Sequence, residues 1–140
     1  MVEIVVIDTN VFVSALLSSS GASREVLRLC LIGALIPVMG NKLFLEFEDL
    51  FNRSAIFQES PISGADRADL FEGFLSVCRW VNVFFLWRPN LPDEGDNQVL
   101  ELAVASGASA IITHNVSDFE GELKFPVQVL SPGQYLRIRR

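Results

Sequence analysis

Four short segments carry oxygen-bearing side chains where a buried run ends or a helix begins. The first is VVIDTNVF, in which Asp8 closes an apolar run and is followed by Thr9 and Asn10. The second is NKLFLEFEDLF. At about 100° per residue, Leu43, Phe44, Phe47, Leu50 and Phe51 share one face, Glu46 and Glu48 flank it, and Asp49 points away. Periodicity does not choose between Glu46 and Glu48. The third is LPDEGDNQVLELA, where Asp96 lies three, four and seven residues before Val99, Leu100 and Ala103 and so heads an apolar stripe, with Asp93 one turn earlier. The fourth is ITHNVSDF, in which Asn115 and Asp118 lie three apart after another apolar run.

Taken singly, each segment has an ordinary explanation. Asp8 or Thr9 can cap a helix. Asp93 and Asp96 have the spacing of a first-turn capping pair that complements the helix dipole, and Asn115 with Asp118 can cap a turn. Taken together they imply more. Several carboxylates crowded at one place repel one another unless a cation neutralises them. Oxygen ligands suit a hard ion, Mg²⁺ or Mn²⁺, and the lack of a His/Cys cluster argues against zinc. Such an ion can activate water and neutralise the charge that develops on a phosphoryl group.

The elements that would gather these residues follow from hydrophobic periodicity. Near-continuous apolar runs at 2–7, 35–39, 81–86, 110–113 and 127–130 have the pattern of strands covered on both faces of a parallel sheet. Helical patterns fall between them, at 11–17, 24–32, 41–51, 65–80 and 96–105. This alternation predicts an α/β fold with a parallel sheet. Ligands of such sheets bind outside the carboxyl ends of the strands, which is where Asp8, Asp96, Asn115 and Asp118 would meet. The punctuation agrees: Ser23 can cap and Gly33 end the second helix, and Ser63 with Asp66 resembles a capping box for the fourth. Residues 18–22 and 54–64 read as loops, and 135–140, with Arg137, Arg139 and Arg140, as a solvated basic tail.

At 140 residues the chain is expected to form one domain, 1–140, with one active site. Half of the residues are apolar, but no uninterrupted run reaches the roughly 18 residues of a membrane span. The N-terminus MVEIVVID has no basic region or small-residue cleavage site, so a cytoplasmic protein with no membrane partner is expected. Cys30 and Cys78 sit among apolar residues and read as reduced core thiols. The formal charge of −6 opposes simple attraction to nucleic acid. A bound metal would offset that locally by drawing in a phosphate.

At these residues the chain resembles the PIN-domain family, and specifically the prokaryotic PIN proteins related to the VapC toxins of toxin–antitoxin modules. The resemblance runs nearly end to end through IDTNVFVSALL, LFLEFEDLF, DEGDNQVLELA and ITHNVSDF. It implies a three-layer α/β/α fold with a central parallel sheet of about five strands. Position by position, it implies that Asp8, Glu46, Asp96 and Asp118 are the catalytic, metal-binding acids, with Thr9 and Asn10 supporting Asp8 and Asn115 assisting the fourth position. Glu46 rather than Glu48, and Asp96 rather than Asp93, come from this resemblance and not from geometry. Asn115 is a departure, since some relatives carry an acid there, which bears on metal affinity and metal count. The family further implies metal-dependent endoribonuclease activity on an RNA substrate, homodimerisation, and a cognate antitoxin that covers the active-site groove. Phe44, Phe47, Phe51, Phe71, Phe74, Trp80 and Trp87 are compatible with such interfaces, although core positions are the simpler assignment for most of them. His114 reads as a neighbour of the site and not a base, with no Ser or Cys partner indicated.

Other classes fit the residues less well. A receiver-like signalling module would pair adjacent acids after the first strand and place a lysine after a late strand, whereas Asp8 stands alone and Lys124 is poorly placed. A non-catalytic PIN-like binding module would not need the retained acidic set. A haloacid-dehalogenase-type phosphatase would need a second Asp where Asn10 stands.

Overall fold

The β-branched run at the N-terminus forms a strand, β1 (Glu3–Ile7), in which Val5, Val6 and Ile7 are buried. The chain then runs through α1 (Thr9–Leu17), α2 (Ala22–Leu31), β2 (Leu35–Met39) and α3 (Asn41–Phe51). A 3₁₀ turn (Ser54–Phe57) leads to α4 (Gly64–Val77) and β3 (Arg79–Trp80). α5 (Glu94–Ser106), β4 (Ala110–Ile112), a second 3₁₀ segment (Val116–Glu122), β5 (Gln128–Leu130) and α6 (Pro132–Arg139) complete it. This computed structural model describes residues 2–18, 20–83, 94–122 and 127–139, with the backbone alone at 54, 94–96 and 120–122.

The five strands form one parallel sheet in the order β3-β2-β1-β4-β5, flanked by the helices, which is the α/β architecture expected. The chain builds outward from β1 in one direction through β2 and β3, then returns to the other side of β1 for β4 and β5. The order therefore reverses between β1 and β4, and the crevice at their carboxyl ends is where a ligand finds room in an open sheet of this kind. The register pairs Val5, Val6 and Ile7 with Ala110, Ile111 and Ile112. One step beyond it, Asp8 and Thr113 leave the sheet side by side.

Phe12 fixes α1 over this edge. Its buried ring lies 5.6 Å from Phe47 of α3, edge-on, and 4.9 Å from Phe74 of α4. Such aromatic contacts add to the transfer free energy of the buried rings. Phe51 and Phe71 stack at 4.4 Å on the same cluster. α3, which carries Glu46, is thus held against α1, which begins at the residue after Asp8.

Several sequence expectations need correction. The fourth helix does not run to residue 80: Cys78 is extended (φ −71°, ψ 142°), and Arg79 and Trp80 pair with Val38 and Met39. The open edge of β2 offers this β-prone stretch ladder hydrogen bonds that a last helical turn would lack. The strand expected at 81–86 is displaced: β3 occupies Arg79–Trp80, residues 81–83 are not strand although Val81 N still donates to the Met39 carbonyl, and 84–86 lie outside the described residues, as does Trp87. Trp80 is 49% exposed, not a core residue. Ser23 lies inside α2, whose N-cap is Gly21. The tail from 135 is not solvated throughout, because α6 buries Tyr135, whose hydroxyl donates to Glu3 Oε1 at 2.8 Å. Arg137 and Arg139 are exposed in its last turn, and Arg140 lies outside the described residues.

The stops behave as their chemistry requires. Gly33 takes φ +82°, its N–H donates to the Cys30 carbonyl and that of Ala34 to Leu29, the paired bonds of a Schellman ending. Ser63 Oγ accepts from Asp66 N at the start of α4. Cys30 is buried and Cys78 half-buried, both as free thiols. Among the described residues no helix is long and apolar enough to cross a membrane.

Candidate active site

Asp8 sits at the exit of β1 with an extended backbone, capping α1 by accepting from Thr9 N at 2.8 Å through Oδ1. The helix-cap explanation is therefore correct as far as it goes, but the other oxygen is committed elsewhere. Asp8 N donates to the Ile112 carbonyl, extending the β1–β4 register, and this sets Thr113 beside the carboxylate. Thr113 is fully buried; its hydroxyl donates to Asp8 Oδ2 at 2.8 Å and accepts from Asn115 N at 3.0 Å. Asn10 Nδ2 lies 3.4 Å from both Asp8 Oδ2 and Thr113 Oγ1, and Asn10 Oδ1 accepts from His114 N at 3.2 Å. At 5% exposure Asp8 needs such donors, because an ionised carboxylate out of water is stable only when hydrogen-bonded or paired.

Thr9 joins Asp8 to the second acid. Its N–H serves Asp8, and its hydroxyl donates to Glu46 Oε1 at 3.0 Å. Of the two flanking glutamates of α3, Glu46 is half-buried against α1 and lines the same cleft as Asp8, whereas Glu48 is exposed. Asp49 is exposed too and pairs with Arg53. Asp8, Thr9, Asn10, Glu46 and Asn115 line one cleft of about 680 Å³. Val13, Ser14, Leu17, Ser18, Leu50 and Ile56 complete its lining. No lysine or arginine stands among the described lining residues.

The other expected site residues are placed differently. Asn115 lines the cleft, while Asp118 is exposed in the first turn of the following 3₁₀ segment, not among the lining residues. Asp118 is coupled to the cleft through its backbone, because its N–H donates to the Asn115 carbonyl at 3.0 Å. Asp96 lies in the first turn of α5, but its side chain lies outside the described atoms, and Asp93 outside the described residues. Among the described residues no three His, Cys, Asp or Glu side chains gather closely enough to hold a metal ion. The donors that are gathered, two carboxylates sharing one threonine, with amide and hydroxyl oxygens around them, fit a hard cation and not a soft one.

Some polar residues of this region escape pattern reading. Thr113 looks in the sequence like the last residue of a strand; only the register shows that its hydroxyl falls against Asp8. His114 does have a serine partner, Ser23, with Oγ 3.1 Å from Nε2. Asn97 and Glu101 are buried in α5, four residues apart, although the sequence reading did not single them out.

Comparison with known proteins bears on the family and the fold. The PIN domain family profile matches residues 4–117. No curated protein sequence matches the chain. Seven chains of solved structures match, among them one in the crystal structure of VapBC2 from Rickettsia felis bound to a DNA fragment from their promoter. That match has 15% identity and a TM-score of 0.59, covering 90% of this chain and 98% of that one. At this identity the likeness is one of fold.

Proposed function

The chain belongs to the PIN-domain family, and from that premise we propose that it is a Mg²⁺- or Mn²⁺-dependent endoribonuclease, the toxin half of a toxin–antitoxin pair. The observation that carries this reading is the Thr9 bridge, which holds Asp8 and Glu46 in one cleft at the sheet's switch point. In this reading Asp8, Glu46 and Asp96 hold the metal, and Asp118 contributes from the turn that Asn115 begins. The bound ion would supply an activated water and neutralise charge on the phosphoryl group.

The protein's own residues do the positioning. Thr113 and Asn10 orient Asp8 Oδ2, Thr9 orients Asp8 Oδ1 and Glu46 Oε1, and Asn115 presents a neutral amide to the cleft. No lysine or arginine stands among the described lining residues, so attraction of the scissile phosphate would have to come from the ion that Asp8 and Glu46 hold.

The proposal extends to a cytoplasmic, single-domain protein that works as a homodimer and is held by a cognate antitoxin. The test is cleavage of single-stranded and structured RNA with and without EDTA, comparing wild type with Asp8→Asn and Asp96→Asn. Metal-dependent cleavage lost in both variants supports the reading. Equal cleavage in chelator, or in both variants, overturns it.

A second reading is favoured by one observation: Asn115, not an acid, lines the cleft while Asp118 stands off it. A PIN domain that binds RNA without cutting it would have this weaker donor set. RNA binding with no cleavage at saturating Mn²⁺ would establish that alternative.

A further inference from the structure

We propose that Ser23 and His114 form a strut that positions the 113–118 turn, and with it the Asn115 and Asp118 end of the cleft. The proposal rests on the reading of that cleft as a metal site. Ser23 belongs to the first turn of α2 and is only 7% exposed, yet its hydroxyl is spent on a residue 91 positions away, the exposed His114. A serine at such a helix start ordinarily bonds to its own backbone nearby.

The backbone N–H groups of Thr113, His114 and Asn115 donate to the Leu130 carbonyl at 2.9 Å, to Asn10 Oδ1 at 3.2 Å and to Thr113 Oγ1 at 3.0 Å. These bonds fix the turn to β5, to α1 and to itself. Among the described hydrogen bonds, the imidazole of His114 ties the turn to α2. That helix is in turn clamped to the end of α1, because Arg24 donates to the Ser18 carbonyl through Nε at 3.2 Å and Nη2 at 2.8 Å. The result is a closed ring of contacts: α1 to α2 through Arg24, α2 to the turn through Ser23 and His114, and the turn back to α1 through Asn10. Releasing the strut frees the residues that follow it. Asn115 lines the cleft, and Asp118 N donates to the Asn115 carbonyl, so a shift at His114 reaches both.

The pair does not have the form of a nucleophile and its base. Such a pair needs an accessible hydroxyl and a third group orienting the ring. Ser23 is buried, and among the described residues no hydrogen bond reaches the other ring nitrogen of His114. Ser23 and His114 are positioning residues.

The experiment compares wild type, Ser23→Ala, His114→Leu, His114→Gln and the Ser23→Ala/His114→Leu double variant in two measurements. Amide exchange of the metal-free protein reads the turn directly, and calorimetric titration with MnCl₂ without RNA reads the site. The expected result is faster exchange at 114–118 in Ser23→Ala and His114→Leu, with Mn²⁺ affinity lowered about tenfold, the scale on which an outer hydrogen-bond partner acts on a metal site. His114→Gln, which keeps a polar group at similar reach, should recover most of the affinity. The double variant should be no worse than either single one, because both remove the same contact. Unchanged exchange at 114–118 in both single variants overturns the strut, and so do additive losses in the double variant. Faster exchange in a protein that binds no Mn²⁺ even as wild type supports the strut and overturns the metal reading instead.

Discussion

Replacing Thr113 by valine keeps the shape of a fully buried side chain and deletes only its hydroxyl. That hydroxyl gives Asp8 Oδ2 its 2.8 Å hydrogen bond, accepts from Asn115 N at 3.0 Å, and lies 3.4 Å from Asn10 Nδ2. A hydrogen bond to a charged group is worth about 1.5–3 kcal/mol and a neutral one about 1 kcal/mol. Asn115 is exposed, so water can replace part of the second bond. The expected cost is therefore about 2–4 kcal/mol, or a fall in Tm of roughly 6–15 °C for a chain of this size. Thr113→Ser, which retains the hydroxyl, should lose about 1 kcal/mol for its missing methyl. Differential scanning calorimetry in EDTA measures both without any contribution from metal. Mn²⁺ affinity should fall in Thr113→Val and stay near wild type in Thr113→Ser. If Thr113→Val melts within about 1 °C of wild type and binds Mn²⁺ equally well, the hydroxyl does not hold Asp8 and the reasoning from register to site fails.

Three further outcomes are expected. Phe12→Ala should cost about 3–5 kcal/mol, because it removes the ring shared by Phe47 and Phe74; chemical denaturation reads this, and a loss below about 1 kcal/mol would show that the cluster does not anchor α1. Asn115→Asp adds a carboxylate to the cleft lining and should tighten Mn²⁺ binding about tenfold, measured by calorimetry; unchanged or weaker binding would mean that position 115 does not face the ion. Burial pushes the thiols of Cys30 and Cys78 up to about 12, which leaves roughly one thiolate in ten thousand at pH 8. Alkylation of the native protein at that pH should therefore be slow and should accelerate on unfolding, and rapid native labelling at either cysteine would contradict the packing described.

The parts of the fold readable from sequence were those in which one period dominates. The β-branched run before Asp8 and the AII of β4 could be buried strands and little else. The failures came where tertiary contacts decided the outcome. Arg79 and Trp80 continue a helical pattern but are captured by the open edge of β2, and the basic C-terminal residues hide Tyr135 within a helix docked on α2. The site divides in the same way. Asp8 was legible because it ends a strand. Glu46 and Glu48 are equivalent by periodicity, and the structure separates them only because Thr9 reaches one of them. Ser23 carried a capping signal that pointed elsewhere and Thr113 none, since their roles depend on partners 91 and 105 residues away.

The central claim is that Asp8 and Glu46 together hold a divalent ion. A crystal soaked in MnCl₂ and measured at the manganese edge tests it most directly. An anomalous peak within about 2.1 Å of oxygens from both carboxylates, absent from Asp8→Asn crystals, is the predicted result. A cleft that stays empty at high Mn²⁺, or a peak that persists unchanged in Asp8→Asn, would contradict it.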